Sequence, residues 1–271
     1  MIKNSKGTIS IYQAENLLQQ AGIDHFFTTR NGGISKEVFH SLNFGTQHGE
    51  AENMTTNLKI LSTYFPIEHN QIILPKQTHS DRVEVITQNY REQALDETDA
   101  LITNETSVCL AVKTADCVPI LLFDPKQKAI AAVHSGWRGT VQNIIGKTIE
   151  KMSLIYNTNP NELIAAIGPC ISQEKYEVGN DVFEFFQQLF PEKNSILQFN
   201  KANNKKAQLN LTEANKLLLI KSGVKEQNIE CSNICTFSNK EDFYSARRDG
   251  QRTGRMLNGI MLKKDGFDPP F

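Results

Sequence analysis

The sequence is poor in cysteine, lacks any long hydrophobic run and carries almost no net charge. Its 271 residues include five cysteines, an odd and low number that is typical of free thiols rather than a disulfide framework. The longest apolar run, VPILLF at 118–123, is far shorter than the ~20 residues of a membrane-spanning helix. The first residues, MIKNSKGTIS, contain no apolar core of a secretory signal. We therefore expect a cytoplasmic protein that does not associate with membranes.

The balance of charges disfavours another class of protein. The sequence has 29 basic and 30 acidic residues, which gives a formal net charge of −1. Nucleic-acid-binding proteins usually carry a broad basic surface, and no aromatic residues are interleaved with the basic ones here. We expect small-molecule partners rather than nucleic acid. A net charge near zero permits self-association, so we expect a monomer or a weak homo-oligomer.

Short apolar runs separated by turn residues predict a protein built around β-sheets. Several runs are continuous rather than alternating, which is typical of strands covered on both faces. The predicted strands are 26–29, 72–75, 83–86, 107–112, 118–123, 129–134, 163–168 and 228–235. No repeat and no linker rich in proline, glycine or serine divides the chain. We therefore predict a layered α/β architecture in one domain that spans residues 1–271.

Three segments have the apolar spacing of helices that pack against such sheets. The helices are predicted to begin after Gly139, Asn180 and Asn210, with the second ending at Pro191 and the third at Gly223. Thr140 and Asn210 are the predicted N-caps of the first and third helices. We interpret the apolar stripes of all three helices as core packing.

Three side chains of metal-binding type fall at the ends of predicted strands. His79 follows the strand 72–75, Cys117 precedes the strand 118–123, and His134 ends the strand 129–134. Open α/β sheets bind their ligands at strand ends. Two imidazoles and a thiolate suit zinc, and three protein ligands leave a fourth position open, as in catalytic zinc sites. The spacing matches no compact metal motif, so a buried cysteine with two hydrogen-bonded histidines is the alternative interpretation.

The distribution of arginine points to an anion. Four of the eight arginines lie between residues 247 and 255, in YSARRDGQRTGR, close to glycines that let the backbone approach a ligand. Arg30 in TTRNGG and Arg138 in GWRG also stand beside glycines. The planar guanidinium group suits phosphate or carboxylate. A solvated basic loop is the alternative.

A series of motifs matches a known family. FTTRNGG, SLNFG, LPKQTHSD, KTADCVPILL, AVHSGWRG, IGPCISQEKYEVG, ICTF and FYSARRDGQRTGRM occur in that order between residues 27 and 256. In these motifs the sequence resembles the YfiH-type family, long labelled polyphenol oxidase or laccase-domain proteins. The resemblance implies a single-domain layered sandwich of helices over mixed β-sheets, and one zinc ion bound by His79, Cys117 and His134. It also implies phosphorolysis of adenosine, inosine and methylthioadenosine to the free base and ribose 1-phosphate, and deamination of adenosine.

Other polar residues are candidates for catalysis and substrate binding. Phosphorolysis requires phosphate to lie against the ribose carbon, where arginines would supply positioning and charge. The candidates for binding substrate and phosphate are Arg30, Asn43, Arg138, Arg247 and Arg255. Asp116, next to Cys117, is expected to shuttle a proton or to orient a histidine, and we favour the orienting role. Copper is expected as a substitute for zinc, because its intrinsic affinity is higher.

The sequence departs from the family's pattern at three positions. Glu50 stands where members usually carry aspartate, Leu58 where they carry arginine, and Ala246 where they carry an aromatic residue. The three zinc ligands that the resemblance implies are all present. We therefore expect the departures to affect substrate preference and rate rather than metal binding.

Three other functions share parts of this pattern. Cys117 with His79 or His134 could form the nucleophile–base pair of an amide hydrolase, for example in cell-wall precursor editing. A copper-dependent polyphenol oxidase is disfavoured, because the six histidines include no HxH pair. A zinc protein without catalytic activity would need a closed fourth coordination position, and the sequence offers no evident fourth ligand.

Overall fold

The computed structural model describes residues 1–89, 94–106, 108–191, 195–199 and 206–263. The strands are β1 (Ile2–Lys6), β2 (Ile9–Gln13), β3 (Ile23–Thr28), β4 (Ile72–Ile73), β5 (Val83–Val85), β6 (Ala100–Thr103), β7 (Cys109–Thr114), β8 (Val118–Asp124), β9 (Ala129–Ser135), β10 (Ile164–Ile167), β11 (Glu177–Gly179), β12 (Leu197–Phe199), β13 (Lys206–Leu209), β14 (Ile229–Cys231) and β15 (Met256–Leu262). The α-helices are α1 (Glu15–Leu18), α2 (Ala51–Ser62), α3 (Trp137–Val141), α4 (Ile144–Tyr156), α5 (Asn180–Leu189), α6 (Leu211–Lys221) and α7 (Ala246–Asp249). In the part of the chain so described, no helix has the length and apolarity needed to cross a bilayer.

The described strands form two six-stranded sheets and one small sheet. The first sheet has the order β1-β2-β3-β15-β7-β4, and the second has the order β14-β10-β8-β9-β6-β5. Neighbouring strands are antiparallel except for the pairs β4–β7, β5–β6 and β10–β14, which are parallel. The small antiparallel sheet has the order β11-β13-β12. Both large sheets are therefore mixed.

The two large sheets pack face to face, with helices on their outer sides. Leu121 of β8 packs with Ile260 of β15 in a core shared by the two sheets. Its neighbour Ile120 points to the opposite face, because side chains alternate along a strand, and packs with Ile149 of α4. On the outer face of the first sheet, Leu58 of α2 packs in a third hydrophobic core. The predicted layered sandwich of helices over mixed β-sheets is confirmed.

Each of the eight predicted apolar runs overlaps an observed strand. The predicted run 107–112 begins at Ser107, which lies outside the described residues, and β7 begins at Cys109. The predicted strand 228–235 was too long, because β14 ends at Cys231 and only an isolated bridge joins Cys235 to Cys170. Sequence reasoning missed β1, β2, β6, β11, β12, β13 and β15. The strand β15 is fully buried between β3 and β7. It was missed because the segment before it is polar and does not mark where the strand begins.

The helix predictions were correct in place and partly wrong in their caps. Thr140 does not cap the long helix, because it lies inside the short helix α3. Asn143 is the N-cap of α4 instead. It adopts the left-handed conformation (φ 57°), which asparagine tolerates better than threonine. Asn210 caps α6 as predicted, since its side chain accepts a hydrogen bond from Glu213 N at 3.0 Å. Gly223, with φ 97°, follows the end of that helix.

Candidate metal centre and active site

Three metal-ligating side chains meet at the ends of strands in the second sheet. Cys117 directly precedes β8, and His134 lies near the end of β9, opposite Pro119. His79 comes from the loop between β4 and β5. The ligand atoms of the three side chains lie within 4.8 Å of one another, and Cys117 Sγ is 3.7 Å from His79 Nε2. The structure therefore brings together the three residues predicted as ligands.

The cluster is open on one side. His134 is buried, Cys117 is half-buried, and His79 is exposed. Two imidazoles and one thiol at this separation match the donor set of a catalytic zinc site, which keeps one coordination position for water or substrate. The residues present thus fit a zinc ion, and copper binds the same kinds of donor.

Asp99, which sequence reasoning missed, organises two of the ligands. His134 Nδ1 donates to Asp99 Oδ1 at 2.6 Å, so that Nε2 is the ring nitrogen left to face the cluster. The same carboxylate accepts hydrogen bonds from the backbone N–H groups of Thr78, His79 and Ser80. One buried carboxylate therefore orients His134 and also fixes the loop that carries His79.

The electrostatics of the cluster favour the thiolate form of Cys117. Burial opposes ionisation of this thiol, but the charge of His134 and hydrogen bonds from both histidines outweigh it and lower its pKa to about 6. Burial also opposes protonation of His134, whereas Cys117 and Asp99 raise the pKa of His134 to about 9. Burial disfavours the ionised form of Asp99, but its contacts with His134 and the backbone lower its pKa to about 2. The thiolate is the form of cysteine that binds metals.

Gly136 allows the backbone to approach the cluster closely. A Cβ atom at this position would lie 2.9 Å from His79 Cδ2 and 3.0 Å from Cys117 Sγ. Any side chain here would therefore push against two of the three ligands. This close contact explains why the first glycine of the motif HSGWRG, Gly136, carries no side chain.

Asp116 has a different role from the orienting role predicted for it. Its Oδ1 accepts from Thr236 Oγ1 at 2.7 Å, and its Oδ2 accepts from Ser245 Oγ and Arg247 N. Asp116 therefore attaches the arginine-rich segment to the segment of Cys117. The prediction that Asp116 orients a histidine was wrong, because the carboxylate bonded to a histidine is that of Asp99. The motif TDALIT contains a signal for Asp99, since it places an acidic residue directly before a buried strand.

Two of the predicted arginines lie on aromatic rings near the cluster. The guanidinium of Arg247 lies 4.9 Å from the ring centre of Tyr176, and that of Arg138 lies 4.3 Å from the ring centre of Trp137. Burial raises the pKa of Tyr176, and the negative charge of Cys117 raises it further. Tyr176 is therefore within electrostatic reach of the cluster, and both arginines are exposed beside it.

Arg255 is held by a buried loop that includes Asn43. Arg255 N donates to Asn43 Oδ1 at 2.9 Å, and Asn43 Nδ2 donates to Glu50. Burial lowers the pKa of Arg255, and the negative charge of Cys117 partly offsets this effect. Asn43 is buried, and its side chain positions Arg255; direct contact between Asn43 and substrate stays a prediction.

Arg30 lies apart from these residues. Its Nε donates to the carbonyl of His40 at 2.9 Å, and its guanidinium stacks on the ring of Tyr244 at 4.5 Å. It lines a cavity of about 460 Å³ together with Asn31, His40, Lys240, Glu241, Arg248 and Asp249. None of the three ligands lines this cavity, so the structure does not bring Arg30 to the metal cluster.

The three departures from the family's pattern have structural explanations. Leu58 is buried in the outer core under α2. Glu50 accepts a hydrogen bond from Asn43 and so supports the loop that holds Arg255. Ala246 begins α7 and packs against the small core that contains Tyr244.

The fold and the site define a layered α/β protein with an open His–Cys–His cluster that could hold a metal ion. The sequence model of one family, described as "Multi-copper polyphenol oxidoreductase laccase", matches residues 24–263. This match spans most of the chain and includes all three ligands. The protein belongs to this family, the YfiH-type laccase-domain family that its motifs resemble.

Individual relatives support the same assignment. The chain is 38% identical over 262 residues to a purine nucleoside phosphorylase of Bacteroides thetaiotaomicron, covering 92% of this chain and 95% of the relative. It is 34% identical over 250 residues to adenosine deaminase RL5 from an unknown prokaryotic organism, covering 89% and 95% of the two chains. The crystal structure of the hypothetical protein YfiH from Bacillus licheniformis superposes with a TM-score of 0.85 at 30% identity, covering 94% and 97%.

Proposed function

We propose that the protein is a zinc-dependent purine nucleoside phosphorylase that also deaminates adenosine. Its substrates would be adenosine, inosine or methylthioadenosine with phosphate, and its products the free base and ribose 1-phosphate. The observation that carries this proposal is the open cluster of His79, Cys117 and His134 in a chain 38% identical to a purine nucleoside phosphorylase. The likeness to adenosine deaminase RL5 supports the second activity.

The residues of this chain would bind the anion and the nucleoside around the cluster. Cleavage of the glycosidic bond builds positive character on the ribose, and phosphate must lie against the same carbon. Arg138 and Arg247 present exposed guanidinium groups near Cys117, and Arg255 adds a half-buried one. Preorganised cations of this kind hold phosphate without reorganising during the reaction.

Zinc would be held by His79, Cys117 and His134, and it acts in such open sites as a Lewis acid that also acidifies water. Asp99 keeps the Nδ1 proton on His134 and fixes the backbone of His79, so both ligands are oriented in advance. Asp116 remains a candidate for holding a proton next to Cys117. Its present hydrogen bonds show it fixing Arg247 relative to that residue.

The test measures metal content and two reactions on one protein preparation. The protein would be incubated with inosine and with adenosine, with and without phosphate, beside the variants His79→Ala and, as a matched control, His69→Ala. We expect phosphate-dependent release of hypoxanthine and adenine, and phosphate-independent formation of inosine from adenosine. His79→Ala should lose both activities and its zinc, whereas His69→Ala should keep them. A zinc-loaded protein that yields neither base nor inosine would refute the proposal.

One contact supports a second candidate, an amide hydrolase with a cysteine nucleophile. Cys117 Sγ lies 3.7 Å from His79 Nε2, a distance that also suits a nucleophile and its base. A thiolate committed to zinc is a poor free nucleophile. Alkylation of Cys117 that is equally fast with and without a chelator, and that abolishes amide hydrolysis, would favour the hydrolase.

A further inference from the structure

Lys113 and Arg255 lie at the same end of the first sheet. The strands β7 and β15 are antiparallel neighbours, with Lys113 opposite Leu257. Arg255 directly precedes β15, whose first residue, Met256, lies opposite Thr114, so the backbones of Arg255 and Lys113 lie close together. Long side chains reach across neighbouring strands, and the charge of Arg255 acts on Lys113.

Within the described part of the chain, no salt bridge neutralises these two cations, although the negative charges of Cys117 and Asp116 act on Arg255. Among the described residues, no carboxylate forms an ion pair with Lys113 Nζ or with the guanidinium of Arg255. Arg255 Nη1 donates only to the carbonyls of Thr253 and Gly254. Both side chains are half-buried. Burial lowers the pKa of Lys113, and the charge of Arg255 lowers it further. Two half-buried like charges destabilise each other unless an anion lies between them.

The pair lies beside the metal cluster. Gln77, two residues before His79, exchanges two hydrogen bonds with the backbone of Lys113, at 2.8 and 2.7 Å. Arg255 experiences the negative charge of Cys117. A further donor belongs to the same loop as Arg255, because the buried hydroxyl of Thr253 has no hydrogen-bond partner in the described structure.

We propose that Lys113 and Arg255 together bind the inorganic phosphate co-substrate at the edge of the His79–Cys117–His134 cluster. The identity of the anion rests on the proposed phosphorylase function, whereas the cationic site itself does not. Lys113 supplies a compact charge and Arg255 a planar fork of donors, a combination that suits phosphate. Sequence reasoning selected Arg255 for its motif but assigned no role to Lys113.

The test uses Lys113→Met, which removes the charge and keeps most of the side-chain volume. Binding of inorganic phosphate to the zinc-loaded protein would be measured by calorimetry without nucleoside, and KM for phosphate and for inosine would be measured separately. We expect phosphate affinity to fall, and KM for phosphate to rise, by about 10- to 100-fold, with a much smaller change in KM for inosine. Lys113→Arg should restore much of the affinity. Lys59→Met, which replaces an exposed lysine of α2, is the matched control.

The outcomes separate this site from the proposed function. Phosphate binding that is lost in Lys113→Met supports the site even when no phosphorolysis occurs, and then the function alone fails. Phosphorolysis with the same KM for phosphate in Lys113→Met and in the wild type would overturn the site and leave the function intact. No binding of phosphate to the wild type would also overturn the site.

Thermal unfolding shows whether Lys113→Met loses phosphate affinity only because the variant is less stable. An uncompensated charge costs stability, so Lys113→Met should unfold without phosphate at the same temperature as the wild type or higher. Phosphate should raise the unfolding temperature of the wild type more than that of the variant. A large loss of stability in the variant without phosphate would contradict the argument that Lys113 is an unpaired charge.

Discussion

Replacing Asp99 by asparagine should weaken metal binding while leaving the protein folded. Asparagine has nearly the same shape as aspartate but only one accepting oxygen. Asp99 Oδ1 accepts from His134 Nδ1 and His79 N, and Oδ2 accepts from Thr78 N, Ser80 N and Ser80 Oγ. In either orientation, the new amide nitrogen faces N–H donors. We therefore expect the free energy of unfolding to fall by about 1–3 kcal/mol for an orphaned buried donor.

The effect on the metal follows from the tautomer of His134. An amide nitrogen turned toward His134 donates to Nδ1, which leaves the ring proton on Nε2, the nitrogen that faces the cluster. An oxygen turned toward His134 instead leaves the amide nitrogen against the N–H groups of Thr78 and Ser80 and disturbs the loop of His79. Loss of such an orienting carboxylate costs about 10- to 100-fold in metal affinity. We expect that reduction in zinc affinity for Asp99→Asn.

Zinc affinity would be measured by competition with a chromophoric chelator, on protein shown to be folded by circular dichroism. Asp96→Asn is the matched control, because Asp96 is on the same segment but its side chain is 61% exposed and pairs with Lys76. Asp116→Asn tests the role predicted from sequence, and asparagine tolerates the positive φ of 91° at that position. Wild-type zinc affinity in folded Asp99→Asn, or an equal loss in Asp116→Asn, would refute the reasoning.

Three further predictions concern separate parts of the structure. Gly136→Ala should lower zinc affinity and leave the protein folded, because the new Cβ would lie 3.0 Å from Cys117 Sγ. Metal titration measures this change in affinity. His25 is buried, and burial lowers its pKa from 6.5 to about 4. The unfolded chain therefore binds more protons between these pH values, and about 3 kcal/mol of stability present above pH 6.5 should be lost as the pH falls to 4. Denaturant unfolding at several pH values measures this loss. Asn210→Ala should cost about 0.5–2 kcal/mol in denaturant unfolding, because Glu213 N loses its cap.

Each of these predictions has a control and a contradicting result. Gly139→Ala should keep zinc affinity, since its nearest contact would be an ordinary 3.4 Å to Ile144 Cγ2; equal losses in both alanine variants would contradict the role of Gly136. The acid destabilisation should be smaller in His25→Gln and unchanged in His69→Gln. Asn210→Asp keeps an accepting oxygen, so its free energy of unfolding should stay near that of the wild type, unlike that of Asn210→Ala.

Much of the site was predictable because its ligands are marked locally. Cys117 and His134 adjoin continuous apolar runs, and His79 follows another such run after a short polar turn; runs of that kind form buried strands whose ends lie together. Arg30 carries the same sequence signal as Arg247, because each lies a few residues before a glycine in a polar segment. Its guanidinium donates to the carbonyl of His40 and stacks on Tyr244, in a cavity that none of the three candidate ligands lines, and the motif alone did not predict this placement.

The sequence by itself predicted the layered α/β class from apolar periodicity, and it predicted three candidate metal ligands from their chemistry at strand ends and from the family's motifs, because these are properties of short segments. The tertiary structure alone decided that Asp99, and not Asp116, orients His134, and that Asn43 holds Arg255 from a buried position. It also placed Lys113 beside Arg255 by pairing β7 with β15, strands far apart in the chain. The physical reason is that hydrogen bonds and charge pairs act over a few ångströms, and the packing of distant segments decides which groups come that close.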